Sequence, residues 1–159
     1  MKVLYAHLIA TYEIVGSLLG VFVLVYSASA MEHIEKEMFY ILMCGLLLFF
    51  LSLCSGLLLL FRKNYSLFFL NQSLQIISFS IHGMTIKYAS GLYLSTTIKS
   101  SLEGTYFSFA ASLSGFEFLY SPTSDLFYIA LNVVPVLLLL FVIKRKLPMN
   151  KESSISILI

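Results

Sequence analysis

The chain has 159 residues, of which 59% are hydrophobic and 11% charged, with a mean hydropathy of +0.93 and a net charge of +2. Soluble domains carry about 25% charged residues, so this composition argues against an ordinary soluble globular domain and points to the integral-membrane class. The basic residues sit in short clusters beside apolar runs, Arg62-Lys63 and Lys144-Arg145-Lys146, which is the pattern of membrane flanks and not of a nucleic-acid-binding face.

Residues 4–30 form the first apolar run, interrupted by Thr11, Glu13 and Ser17. Ala28-Ser29-Ala30 resembles a signal-peptide cleavage site. The stretch preceding the apolar core is nevertheless long, contains Glu13 and has Lys2 as its only fixed positive charge, so a retained span is expected. Gly16 and Gly20 share the Glu13 face and allow a neighbouring helix to come close. A short acidic connection, Glu32–Glu37 with His33, leads to an uncharged second run at 39–61. Gly45, Ser52, Ser55 and Gly56 give that run a face of small residues. Cys44 and Cys54 lie in it ten positions apart, about 15 Å of helical rise, too far for a mutual disulfide. The expectation is two buried thiols.

Residues 65–87 read as a third span. Asn71, Gln75, Ser78 and His82 recur at spacings of four, three and four, which puts them on one helical face with Gln72 beside them. A polar stripe on such a helix has to face protein or water, because lipid cannot satisfy its hydrogen-bonding groups. Between 88 and 125 the apolar runs break up. Phe107, Phe109, Ala111 and Leu113 alternate with Ser108, Ala110, Ser112 and Ser114, and Leu92, Leu94, Thr96 and Ile98 alternate similarly, the period-two signature of strands. Phe116-Glu117-Phe118 adds a third short strand. A small antiparallel sheet is expected there, with a re-entrant or interfacial amphipathic segment as the alternative. The last span, 126–143, follows a turn at 121–125 and carries its own stripe of Asp125, Tyr128, Asn132 and Pro135, with Pro135 expected to kink it. The tail, 147–159, is expected to be poorly ordered.

The expected fold is therefore an all-α membrane protein, a single integral membrane domain over 1–159. It would be a four-transmembrane-helix bundle in the cell membrane with an extracytoplasmic β-rich cap between spans 3 and 4. Placing both termini in the cytoplasm puts Lys2, Arg62, Lys63, Lys144, Arg145, Lys146 and Lys151 inside against Lys36, Lys87 and Lys99 outside, as the positive-inside rule favours.

Counting inward from the cytoplasmic flanks, Glu13 falls at about 16 Å depth, Asn71 at about 12 Å, and Gln75 and Asn132 at about 18 Å. His82 and Asp125 both fall at about 28 Å. This predicts an intramembrane polar network of Glu13, Asn71, Gln75, Ser78 and Asn132, and an outer-mouth pair of His82 and Asp125. Glu13 is the most informative residue, since a carboxylate near mid-bilayer costs roughly 2.5–3.5 kcal/mol on insertion scales. No two histidines share a helical face at ligand spacing, and no catalytic constellation or phosphate-binding loop is present, so no catalytic residue, metal or cofactor is assigned. The leading functional expectation is a non-enzymatic membrane subunit that assembles with other membrane proteins or with itself, in contact with the bilayer and not with nucleic acid. The alternative is a small oligomeric transporter or channel whose polar track is centred on Glu13 and the 71–82 stripe. An intramembrane enzyme acting on lipid or quinone through His82 and Asp125 ranks third.

Overall fold

The computed structural model describes residues 2–31, 35–62, 65–82, 84–101, 104–120 and 127–146. Two long helices, α1 (Lys2–Ser29) and α2 (Lys36–Arg62), pack along each other. At 1.5 Å per residue they run about 42 and 40 Å, and both are long and apolar enough to cross a membrane. Their close approach rests on Gly20, where an added Cβ would lie 2.0 Å from the Phe49 ring, and on Gly56, where it would meet Ala10 and Glu13 of α1.

The expected four-helix bundle is not what forms. The third and fourth apolar stretches each change from helix to strand partway along. Helix α3 (Ser66–Ile76) stops after 11 residues, and the chain passes directly through Ile77 (φ −113°, ψ 129°) into strand β1 (Ile77–Ile81). The reason is local. Ile76-Ile77 is a β-branched pair, and Ile77, Phe79 and Ile81 then alternate with Ser78 and Ser80. In the last stretch the order is reversed, with strand β6 (Phe127–Asn132) preceding helix α4 (Val133–Lys146). Phe127, Ile129 and Leu131 alternate there with Tyr128, Ala130 and Asn132. Asn132 starts α4 by accepting the Val134 N–H at 3.3 Å. Pro135 sits in the first turn, where a missing N–H costs nothing, and so it opens the helix and does not kink one. Neither α3 nor α4 is long enough to span a bilayer.

The intervening strands are β2 (Met84–Ala89), β3 (Tyr93–Ser101), β4 (Gly104–Ser112) and β5 (Gly115–Tyr120). They do not form a separate cap. Together with β1 and β6 they make one antiparallel sheet in the order β4-β3-β6-β1-β2-β5. Residues from two expected spans thus supply its central strands.

The sheet is curled. Laid flat, its edge strands would stand about 24 Å apart. Only Leu113 and Ser114 connect β4 to β5, and three Cα steps reach about 11 Å at most. Side chains from strands that are not neighbours meet across the curl. Lys87 on β2 reaches Ser112 on β4 at 3.5 Å and lies 4.5 Å over the ring of Tyr93 on β3.

The two faces of this sheet are inverted relative to those of a water-soluble barrel. One row of directly paired residues crosses all six strands: Phe107, Ile98, Ile129, Phe79, Ile86 and Phe118. That row faces outward, and Phe107 is 78% exposed. The adjacent row, Ser108, Thr97, Ala130 and Ser78, with Lys87 opposite Glu117 beyond it, faces inward. Ser78 and Thr97 are buried.

All the helix-to-strand junctions and the β2–β3 and β4–β5 turns lie at one end of the curled sheet. The helices α3 and α4 continue from that end and pack with the first half of α1 and the second half of α2. Their shared core is Ile9, Ala10, Leu59, Phe68 and Val142. The other halves of α1 and α2 run beside the outer face of β2 and β5, where Phe116 fills the space over Gly45 and Tyr88 packs edge-on to Phe49.

Candidate functional site

The residues that meet at the junction of helices and sheet are mostly polar. Glu13 of α1 is fully buried. Its Oε2 accepts from Asn71 Nδ2 at 2.5 Å and from Ser52 Oγ at 3.1 Å, and its Oε1 accepts from Gln72 Nε2. Three elements are therefore tied by one carboxyl group. Helical spacing explains the arrangement: Phe68, Asn71, Gln72 and Gln75 form the buried face of α3, with the amides at the end nearest the sheet.

A second ring of bonds holds the first. Ser90, in the β2–β3 turn, bonds through its hydroxyl to Ser52 at 2.7 Å, and Asn71 Nδ2 also donates to Ser52 at 3.2 Å. The Tyr88 hydroxyl lies 2.9 Å from Asn71 Oδ1 and 2.8 Å from the Leu48 carbonyl. Asn71 sets its Oδ1 beside the Tyr88 hydroxyl and its Nδ2 toward Glu13. Gln75 Oε1 accepts the Ser90 N–H at 2.8 Å. Every hydrogen-bond partner of Glu13 here is a neutral donor. The arrangement is a buried acceptor held by amides and hydroxyls.

The β2–β3 turn is clamped onto α1 by close backbone approach. A Cβ on Gly16 would lie 2.6 Å from Gly91 N, and Gly91 adopts φ +105° against the Tyr12 ring. Ser114 donates to the Gly16 carbonyl at 2.7 Å and accepts the Gly91 N–H at 2.6 Å. The Tyr12 hydroxyl accepts the Leu92 N–H at 2.9 Å.

The structure thus brings Glu13 and Asn71 into contact, and places Gln75 in the same network one bond further out. Ser78 is not on their helix. It lies on the inward face of β1, fully buried. Asn132 is also fully buried but does not reach Glu13, because its Oδ1 accepts the Leu94 and Val134 backbone N–H groups. His82 is an exposed turn residue with φ 50°, and its expected partner Asp125 falls outside the described residues, as do His33 and the 147–159 tail. Cys44 is exposed on α2, not buried, and Cys54 is half-buried. Among the described residues no group of three or more His, Cys, Asp or Glu side chains comes together that could hold a metal ion.

Gln72, Ser52, Tyr88 and Ser90 were not foreseen as members of the network. For Ser52 a signal existed: it lies ten residues from Arg62, a depth of about 15 Å, level with Glu13. No comparable signal places Tyr88 and Ser90, since their position depends on the switch from helix to strand. No family model matches the chain, and neither a curated protein nor a solved structure matches it.

Proposed function

We propose that this chain is a multi-pass membrane protein that acts as a non-enzymatic subunit, and that a strand of a partner chain completes its sheet along β4. The membrane reading draws support from the two long apolar helices and from the inverted sheet. An antiparallel sheet with Phe, Ile and Leu outward and Ser, Thr and Asn inward suits a lipid surround, in which the polar groups must turn toward protein. Exposed apolar side chains also cover the faces of the helices turned away from the core, from Leu8 and Phe22 on α1 to Leu137 and Leu140 on α4. Monomeric soluble proteins rarely carry so continuous an apolar surface.

The single observation behind the subunit reading is the state of β4. It is a nine-residue edge strand, paired on one side with β3 and, among the described residues, forming no sheet pair on the other. Its outward Phe107 and Phe109 are 78% and 83% exposed. A free strand edge in hydrocarbon leaves backbone N–H and C=O groups at several kcal/mol each, so the edge calls for a partner strand. The other edge strand, β5, lies against α1. Addition of a strand to β4 is the ordinary way to satisfy such an edge.

The alternative, a transporter or channel, draws on the polar inner face of the sheet and on Glu13 at its base. A through-path would also have to cross Ile9, Ala10, Leu59, Phe68 and Val142, which pack together on the far side of Glu13. That packed layer favours the subunit reading. Solubilisation in mild detergent, followed by mass measurement of the intact particle, tests it. The expected result is a dimer or a fixed hetero-complex that Ser108→Pro disperses. A stable monomer in that detergent would overturn the reading.

A further inference from the structure

The base of the curled sheet holds four buried polar atoms that no other group among the described residues satisfies: Gln75 Nε2, Ser78 Oγ, Ser95 Oγ and Asn132 Nδ2. Their residues are between 96 and 100% buried. Ser95 and Asn132 are direct cross-strand partners on the inward face, and Ser78 lies opposite Ala130, two residues before Asn132. Such neighbours lie within about 8 Å of each other. Gln75 is three residues before Ser78, at the same end of the sheet.

The orientation of both amides is fixed by bonds elsewhere. Gln75 Oε1 accepts the Ser90 N–H, and Asn132 Oδ1 accepts two backbone N–H groups. Flipping either amide would set its NH2 against those donors, so the NH2 groups are the ends left free. Two amide donors and two hydroxyls, with both amide acceptors already engaged, make a cup that donates and has few lone pairs to offer. Extending the β1–β2 register by one residue places Lys87 opposite Ser78, on the same inward face. Lys87 is half-buried, whereas Glu117, its cross-strand partner on β5, is exposed. A buried donor left unsatisfied is costly, so four together favour an occupant.

We propose that the base of the sheet is a binding site for a small oxoanion, a carboxylate or a group of similar size, held by Gln75, Ser78, Ser95 and Asn132 with Lys87 supplying the charge. The proposal stands apart from what covers β4, since it concerns the inner face alone.

The test is thermal unfolding of the full chain in detergent, titrated with sodium acetate, sodium sulfate or glucose at constant ionic strength, with chloride as the balancing anion. A saturable rise in Tm with acetate or sulfate, and none with glucose, is expected. Asn132→Asp keeps an oxygen for Leu94 and Val134 but replaces the free NH2 with a carboxylate oxygen, and should weaken anion binding at least tenfold. Ser95→Ala removes a free hydroxyl and no observed bond. It should weaken binding several-fold, and it serves where Asn132→Asp does not fold. Absence of a saturable response to either anion in the folded wild type means that water suffices for these atoms, and overturns the proposal. So does a response to glucose in place of the anions, or an unchanged response in both variants.

Discussion

The two polar regions of this protein lie a few residues apart and differ in how completely they are satisfied. Around Glu13, amide, hydroxyl and carboxyl groups from α1, α2, α3 and the β2–β3 turn close on one another, and the carboxyl group is met by three donors. At the base of the sheet, Ser78, Ser95, Gln75 and Asn132 keep free donors. The first region holds elements together. The second has hydrogen-bonding capacity to spare, which is what a binding surface needs. The same residue types therefore carry different consequences in the two places, and substitutions can separate them.

The largest effect should come from Glu13→Leu, which strands Ser52, Asn71 and Gln72 at roughly 1–3 kcal/mol per donor. Unfolding by denaturant in detergent should show a loss of several kcal/mol, with Glu13→Gln losing about one third as much because an acceptor oxygen is retained. Equal losses would mean that charge, and not acceptance, holds the network. Next, Phe109→Arg should cost about 2–4 kcal/mol if its outward position meets lipid near mid-depth. Refolding into vesicles measures this, and a near-neutral result would argue that the face meets water. Gly16→Val presses on the backbone of Ser90 and Gly91, which cannot rotate away, and should cost about 1–3 kcal/mol. Gly20→Ala first meets the Phe49 ring, a side chain and not backbone, and should cost less, as thermal shift would show. The smallest and sharpest contrast is between two serines. Ser52→Ala removes a hydroxyl that joins Glu13, Asn71 and Ser90 and should cost about 1–2 kcal/mol, whereas Ser95→Ala should fall within about 0.5 kcal/mol of wild type in anion-free buffer. Equal costs would erase the distinction between the regions.

Much of the Glu13 region was legible in the sequence. Counting residues from the basic flanks placed Asn71 and Gln75 level with Glu13, and the structure sets Asn71 against it. That counting works because α1 and α3 are helical up to those residues. It fails one turn later. Ser78 and His82 continue the spacing of a helix, but the chain has become a strand, so Ser78 faces into the sheet and His82 sits in a turn. The alternation that reveals the strand, Ile77-Ser78-Phe79-Ser80-Ile81, is visible in the sequence. So is Phe127 to Asn132. Both were hidden by the assumption that an apolar run of membrane-spanning length is one helix, when alternating Ile, Phe and Leu on an outward face serve equally well in a sheet with its polar side turned in. The strands of the 88–125 region show the same alternation, yet their pairing with β1 and β6 was beyond reach, because register depends on strands drawn from distant parts of the chain.

If the chain lies in a bilayer as proposed, the outward face of the sheet meets lipid and the inward face does not. Single cysteines at Ile98, Phe107 and Ile129 on the outward row, and at Thr97, Ser108 and Ala130 on the inward row, can be placed in a Cys44→Ser, Cys54→Ser background and spin-labelled in lipid vesicles. Oxygen, which concentrates in hydrocarbon, should relax the outward labels strongly, while a water-soluble nickel chelate should barely reach them, and the inward labels should lack this preference. Outward labels relaxed chiefly by the nickel chelate would contradict it.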